Sequence, residues 1–173
     1  GCGKSSPSTD GIDIDSCDHV LVENCETSCN DDSICIKSGR DADGYRVGRP
    51  CHHITVQNCK IHAGFGVTIG SEVSGGVHDI LLKQLQYHGT DCGFRIKSSL
   101  PRRGYIRNVL VEELQMVNVK YPFHFCLNWN PAYSYCDLPE DYQGEVPDSW
   151  RKLLEKLPES VPLTQVSDIT IRN

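Results

Sequence analysis

The sequence predicts an all-β chain wound as a right-handed parallel β-helix (a solenoid) of about five coils, with one short helix in a long insertion. Two strand templates alternate along the chain. No helical stretch separates them, which argues against doubly wound βαβ units. The repeat runs somewhat under thirty residues, shorter than the about 40–45 residues of a propeller blade.

The first template is CDHVLVENC (17–25), CHHITVQNC (51–59), VHDILLKQL (77–85), IRNVLVEEL (106–114) and VSDITIRN (166–173), with starts 34, 26, 29 and 60 residues apart. The second precedes each copy: GIDID (11–15), SICIK (33–37), GVTIG (66–70), GFRIK (93–97) and HFCLN (124–128). Its apolar positions alternate, as in Ile12/Ile14, Ile34/Ile36, Val67/Ile69, Phe94/Ile96 and Phe125/Leu127, which marks strands with one buried face. Stacked coils then align equivalent residues in columns at a spacing of roughly 4.8 Å.

The columns account for most of the ten cysteines. Cys17 and Cys51 share a column with Val77, Ile106 and Val166, and Cys25 and Cys59 share one with Leu85 and Leu114. A thiol that alternates with Val, Ile and Leu is a small buried hydrophobe. The coil spacing also lies near the Cα separation of a disulfide, so oxidation of Cys25 with Cys59 stays open. Cys35 and Cys126 fall at outward positions, and no zinc-like spacing recurs. Asn24, Asn58 and Asn173, with Gln84 between them, predict an amide ladder at the turns.

Net charge is -6, with 23% charged and 38% hydrophobic residues. This describes a soluble globular protein and argues against nucleic acid or an anionic membrane as the main partner. No apolar run reaches 18 residues, so no membrane-spanning helix is expected. One β-helix domain is expected over 1–173, with an insertion at 129–165. The first residues, GCGKSSPS, carry neither a start methionine nor a cap. The chain is therefore expected to be an internal piece of a longer protein, and to associate or stay inactive on its own.

One outward column of the short strands holds Asp13, Cys35, Thr68, Arg95 and Cys126. A second holds Asp15, Lys37, Gly70, Lys97 and Asn128. The position before the strands holds Asp10, Asp32, Phe65, Cys92 and Phe123. Asp10 and Asp32 are thus neighbours on successive coils, with Asp31 beside them and Arg95 and Lys97 about 10 Å along the axis. Crowded carboxylates raise one member's pKa and yield an acid and a base at one pH. That is the chemistry of glycoside hydrolysis. Solvated turn aspartates are the plain alternative. An ion pair with a neighbouring Asp is the plain alternative for Arg95 and Lys97.

STDGIDID, CNDDSICIKSG, GFGVTIGSE and GFRIKSS, in this order and spacing, resemble the motif series of glycoside hydrolase family 28, the polygalacturonases and related pectin hydrolases. GRDADGYRVGRP (39–50) and NWNPAYSY (128–135) resemble bacterial, including exo-acting, members. The resemblance implies that Asp31 protonates the leaving oxygen. It implies that Asp32 and Asp10 hold and deprotonate the attacking water, with inversion, and that Arg95 and Lys97 grip a substrate carboxylate. A planar fork and a point charge on one strand suit a uronate. It implies a secreted or periplasmic enzyme, an anionic polysaccharide partner (pectin or galacturonan oligomers) and no cofactor or metal. Oligomeric state stays open. Two departures stand out. Ser8 replaces the usual Asn, and Gly64-Phe65-Gly66 replaces Gly-His-Gly, leaving only His62 or a loop histidine to reach the site.

The remaining candidates lie in loops. Lys37 follows the aspartate pair. Arg40, Arg46 and Arg49 form a basic insertion that would read a chain end at the cleft edge, or would be a solvated loop. Asp41-Ala42-Asp43-Gly44 lacks the further ligands of a calcium loop. In 129–165, Tyr133 or Tyr135 is a candidate to stack on a sugar ring, and PDSWRKLLEKLP reads as a helix capped by Asp148 or Ser149, with Leu153, Leu154 and Leu157 laid on the solenoid. Three functions remain open: an exo-acting galacturonan hydrolase, a rhamnogalacturonan-cleaving relative, and a β-helix that binds pectin without turning it over.

Overall fold

Strand alternation builds each coil, in a computed structural model that describes residues 8–173. The first coil holds β1 (Ile12–Asp15), β2 (Asp18–Glu23) and β3 (Glu26–Thr27). The second holds β4 (Ile34–Lys37), α1 (Asp41–Val47), β5 (Cys51–Gln57) and β6 (Lys60–Ile61). The third holds β7 (Val67–Ile69) and β8 (Val77–His88), and the fourth β9 (Cys92–Lys97) and β10 (Tyr105–Val117). The fifth holds β11 (Tyr121–Cys126), α2 (Pro131–Ser134), α3 (Asp148–Leu154) and β12 (Gln165–Arg172). The fold is a right-handed parallel β-helix. One sheet runs β1-β4-β7-β9-β11 and the other β2-β5-β8-β10-β12, with every pairing parallel.

The core lies between the two sheets. Ile34, Ile36, Val67, Ile69 and Phe94 from the first meet Ile54, Val56, Leu82, Ile106 and Val111 from the second, all with no exposed surface. Burial of each such side chain contributes about 1.5–3 kcal/mol. Cys51 and Cys59 are fully buried in the apolar columns, with Cys51 in register with Val77. Among the described residues all nine cysteines are free thiols, so Cys25 and Cys59 are stacked and unbridged.

Each coil turns its corners on single residues in the left-handed region. His19, His53, Asp79, Asn108 and Asp168 form one such column, with φ between 52° and 56°, and Asn24, Asn58, Gln84 and Glu113 form another. Asn and Asp tolerate this region better than most residues, because a short polar side chain bonds locally. Asn58 Nδ2 donates to Asn24 Oδ1 at 2.5 Å, the first rung of the expected amide ladder.

Three expectations need correction. First, β11 pairs with β9 as Phe123↔Phe94 and Phe125↔Ile96, two residues away from the alignment read from HFCLN. His124, not Cys126, therefore stands beside Arg95, and Cys126 stands beside Lys97. A shift of two keeps the same face inward, so alternation alone cannot detect it. Second, residues 41–47 are a helix, not a loop, because Asp41 and Asp43 sit in its first turn and Gly48 closes it at φ 59°. Third, α3 starts at Asp148 behind Pro147 with no side-chain cap, and none of its residues is buried. Leu153, Leu154 and Leu157 border a small cleft together with Pro101, Tyr135 and Cys136.

Leu82→Ala is expected to cost about 2–5 kcal/mol in urea unfolding, whereas Leu21→Ala, at a side chain 54% exposed on the opposite face, should stay within about 0.5 kcal/mol.

Candidate active site

The aspartates arrive on consecutive rungs. Ile12 pairs with Ile34, and the Gly11 N–H donates to the Asp32 carbonyl at 2.9 Å, which sets Asp10 beside Asp32. Asp31 folds back so that its Oδ1 accepts the Asp32 N–H at 2.9 Å. One oxygen each from Asp10, Asp31 and Asp32 lies within 4.8 Å of the others.

Asp32 is almost fully buried, at 1% exposure. Its Oδ1 accepts from Thr68 Oγ1 at 2.8 Å and from Arg95, and its Oδ2 faces Lys97 Nζ at 2.9 Å and the Cys35 thiol at 3.4 Å. Burial works to raise its pKa, but Lys97 and Arg95 outweigh that and hold the carboxyl below its ordinary range. Asp10 has the opposite balance. Burial pushes its carboxyl up against the pull of Lys37, with the charges of Asp32 and Asp13 adding to the push. Lys37 Nζ lies 3.1 Å from Asp10 and 2.8 Å from Asp13. Among the described residues no cation pairs with Asp31.

The notch opens into a trough of about 620 Å³. Asp10, Asp31, Asp32, Lys37, Arg40, Arg95, Lys97 and Tyr133 line it, whereas Arg46 pairs with Asp43 and Arg49 reaches toward Asp18, outside the trough. The axial spacing of 10 Å between Arg95 and Asp32 is spanned by the long side chains, so both cations contact Asp32 directly. In this state they form the ion pairs that were the plain alternative. Arg95 is buried, and its guanidinium lies 4.6 Å from the Phe65 ring centroid and 5.3 Å from that of Trp129. Lys97 Nζ lies 5.2 Å from the same indole. Cys35 is outward-facing as expected, yet fully buried beneath Asp32, where burial pushes its thiol well up.

Sequence reasoning set Asp13 and Phe65 in the columns beside the carboxylates but missed Ser71, Glu72 and Trp129 as lining residues. The signal was positional: Ser71 and Glu72 lie just beyond the end of β7, as Arg40 lies just beyond the end of β4. Tyr133 lines the trough, whereas Tyr135 packs beside α3. His62 turns toward Glu26, 3.5 Å away, so among the described residues no histidine lines the trough. Asp41 and Asp43 are engaged by Arg102 and Arg46, respectively.

The model of glycosyl hydrolases family 28 matches residues 2–134. The chain belongs to this family. A probable polygalacturonase of Vitis vinifera is 31% identical over 126 residues, 72% of this chain and 26% of that protein. A polygalacturonase of Ralstonia nicotianae is 32% identical over 130 residues, 73% of this chain and 22% of that one. A hyperthermoactive exopolygalacturonase of Thermotoga maritima superposes with a TM-score of 0.69 at 37% identity, covering 72% of this chain and 29% of that one. The family 28 exopolygalacturonase of Yersinia enterocolitica gives 0.74 over 95% of this chain and 26% of its own, at 23% identity, a likeness of fold. The chain spans about a quarter of the length of these relatives. Against the family 28 pattern, Phe65 fills the histidine position with a ring that covers Arg95, and Ser8 still lines the trough.

The depressed Asp32 pKa contributes stability that is present above its unfolded value of about 3.9 and is lost as pH falls through the folded value. Lys97→Met removes a cation that holds it down. The Asp32 carboxyl should then titrate at higher pH by carbon-13 NMR, and stability at pH 7 should fall by up to about 3 kcal/mol. That deficit should shrink as pH drops below about 4 and both proteins protonate Asp32. An unmoved Asp32 titration would show that Lys97 does not set its charge.

Proposed function

We propose that this chain carries the hydrolytic site of an exo-acting galacturonan hydrolase that cleaves α-1,4 bonds between galacturonate residues of pectin or polygalacturonate with inversion. The observation that supports it most is the meeting of three carboxylates in one notch, within a trough that also presents Lys37, Arg40, Arg95 and Lys97. The polymer is an anion, and the cations both attract it and orient it.

Asp31 acts as the general acid, being the member of the trio that no cation among the described residues pairs with. Asp10 and Asp32 hold the attacking water between them. The raised pKa of Asp10 makes it the stronger base of the two. The notch is tighter than the about 6.5–9.5 Å between carboxyls of a typical inverting pair, and separation alone would favour retention. Occupancy favours inversion instead. Both Asp32 oxygens are engaged by Thr68, Arg95, Lys97 and Cys35, so Asp32 is not free to attack an anomeric carbon, while Asp10 gives one oxygen to Lys37 and keeps the other for a water. Exo action is supported by the likeness to the Thermotoga maritima exopolygalacturonase at 37% identity. The substrate is a wall polymer, which argues for a secreted or periplasmic protein.

Phe65 supports a second reading, a β-helix that binds the polymer without cleaving it, because an apolar ring replaces the family's histidine beside the acid. The full-length protein is to be assayed on polygalacturonate and on rhamnogalacturonan. Release of monogalacturonate from polygalacturonate, with the product first appearing as the inverted anomer in proton NMR, is the expected result. Asp31→Asn should lower kcat by about 10²–10⁴-fold with little change in KM. Cleavage of rhamnogalacturonan alone, or binding without any cleavage, would replace the proposal with one of its alternatives.

A further inference from the structure

The trough has a second charged centre that hydrolysis does not use. Arg102 is fully buried in the turn between β9 and β10. Its Nη1 donates to Asp41 Oδ1 at 2.5 Å and to the Ser134 carbonyl at 3.0 Å. Its Nη2 donates to Glu72 Oε1 at 3.2 Å and to the Tyr133 carbonyl at 3.5 Å. One guanidinium thus ties α1, the 70–76 turn and α2, which belong to three other coils. Arg40 joins the cluster, donating through Nε to Asp41 Oδ2 at 3.3 Å and through Nη2 to the Tyr133 carbonyl at 3.5 Å. Arg40, Glu72 and Tyr133 are therefore held as one wall of the trough.

Glu72 is the acidic member of that wall. Its backbone is fixed, because its carbonyl accepts the Ser38 N–H at 2.8 Å. Ser71 Oγ donates to Oε1 at 2.9 Å, the same oxygen that Arg102 engages, so Oε2 takes neither contact. Burial works to raise its pKa, but Arg102, Ser71 and Lys37 outweigh that and keep it below its ordinary range. An ionised carboxylate accepts hydrogen bonds and donates none. It repels a uronate carboxylate and welcomes a sugar hydroxyl.

An internal α-1,4-linked galacturonate and one at the non-reducing end share their hydroxyls at C2 and C3. They differ at C4, where the internal residue carries the next sugar and the terminal residue a free hydroxyl. Resting on the hydrolase reading above, we propose that Glu72, positioned by Arg102, is a specificity-determining residue that accepts a hydrogen bond from the free C4 hydroxyl of a terminal galacturonate. A pinned acceptor of this kind favours chain ends over chain interiors. An internal residue offers it no donor at C4, and leaving a partly buried acceptor unpaired is penalised.

Two ligands separate this contact from general affinity: trigalacturonate, and the unsaturated trimer whose terminal residue has a C4=C5 double bond and no C4 hydroxyl. Each is to be titrated calorimetrically into the full-length protein carrying Asp31→Asn to prevent turnover. The saturated trimer should bind about ten- to hundred-fold more tightly, as a hydrogen bond to a charged acceptor gives. Adding Glu72→Gln, which keeps the shape, should shrink that ratio to a few-fold, and Glu72→Ala should abolish it. Arg102→Lys, with the fold checked by circular dichroism, should also shrink it, because an ammonium cannot replace the planar fork. Equal affinity for the two trimers, no binding of either, or a ratio that survives Glu72→Gln and Glu72→Ala overturns the inference. If the ratio appears but the protein with Asp31 intact fails to cut the saturated trimer, the hydrolase reading falls while the role of Glu72 stands.

Discussion

In-register parallel hydrogen bonding between successive rungs is the constraint on which everything else in the molecule rests. Asp10 meets Asp32 because Ile12 meets Ile34 one step along the ladder. Thr68 and Arg95 follow in line because Cys35 pairs with Thr68 and Thr68 with Arg95. A slip of one residue in a single rung would turn its apolar face outward and remove its polar residue from the site. The apolar columns that oppose such a slip therefore also protect the geometry of the charges. Stability and chemistry are specified by the same register.

The charges in turn are balanced along that register. Asp32 tolerates burial because two cations from a single strand, β9, reach back over an intervening rung to it. Phe65 and Trp129 flank Arg95, so this ion pair sits in a drier setting than the exposed pairs on the outer faces. Such a pair is costly to desolvate and costly to break. Asp31, one residue away, pairs with no cation among the described residues, and Asp10 is left with a carboxyl that burial pushes up. Three chemically identical side chains thus receive three different environments from their places on two turns of the coil.

Much of this could be read from the sequence, for a physical reason. A solenoid converts a repeat in the chain directly into a column in space, so Asp10, Asp32, Arg95 and Lys97 could be brought together before any coordinates. The misreadings came where that conversion is degenerate or fails. The face-preserving two-residue shift at β11 left Cys126 and His124 exchanged. The α1 helix was hidden because Asp41-Ala42-Asp43-Gly44 has a turn-like composition, and its start is fixed by Arg102, a contact 61 residues distant in sequence. Glu72 and Trp129 were overlooked because they lie just outside the strands, where no column assigns them a neighbour. The reach of Arg95 and Lys97 onto Asp32 depended on side-chain length, which a count of rungs does not include.

The segments of uneven length, 38–50, 70–76, 98–104 and 127–164, all leave the ladder at one corner, between the end of a first-sheet strand and the start of its second-sheet partner. They emerge side by side, and Arg102 binds them to each other as well as to the coils. Lengthening or shortening one of them need not disturb the pairing of any strand, because the rungs on either side stay hydrogen-bonded. The architecture thereby separates two kinds of evolutionary change. The floor that carries the carboxylates is conservative by construction, while the parapet around it is free to be recut.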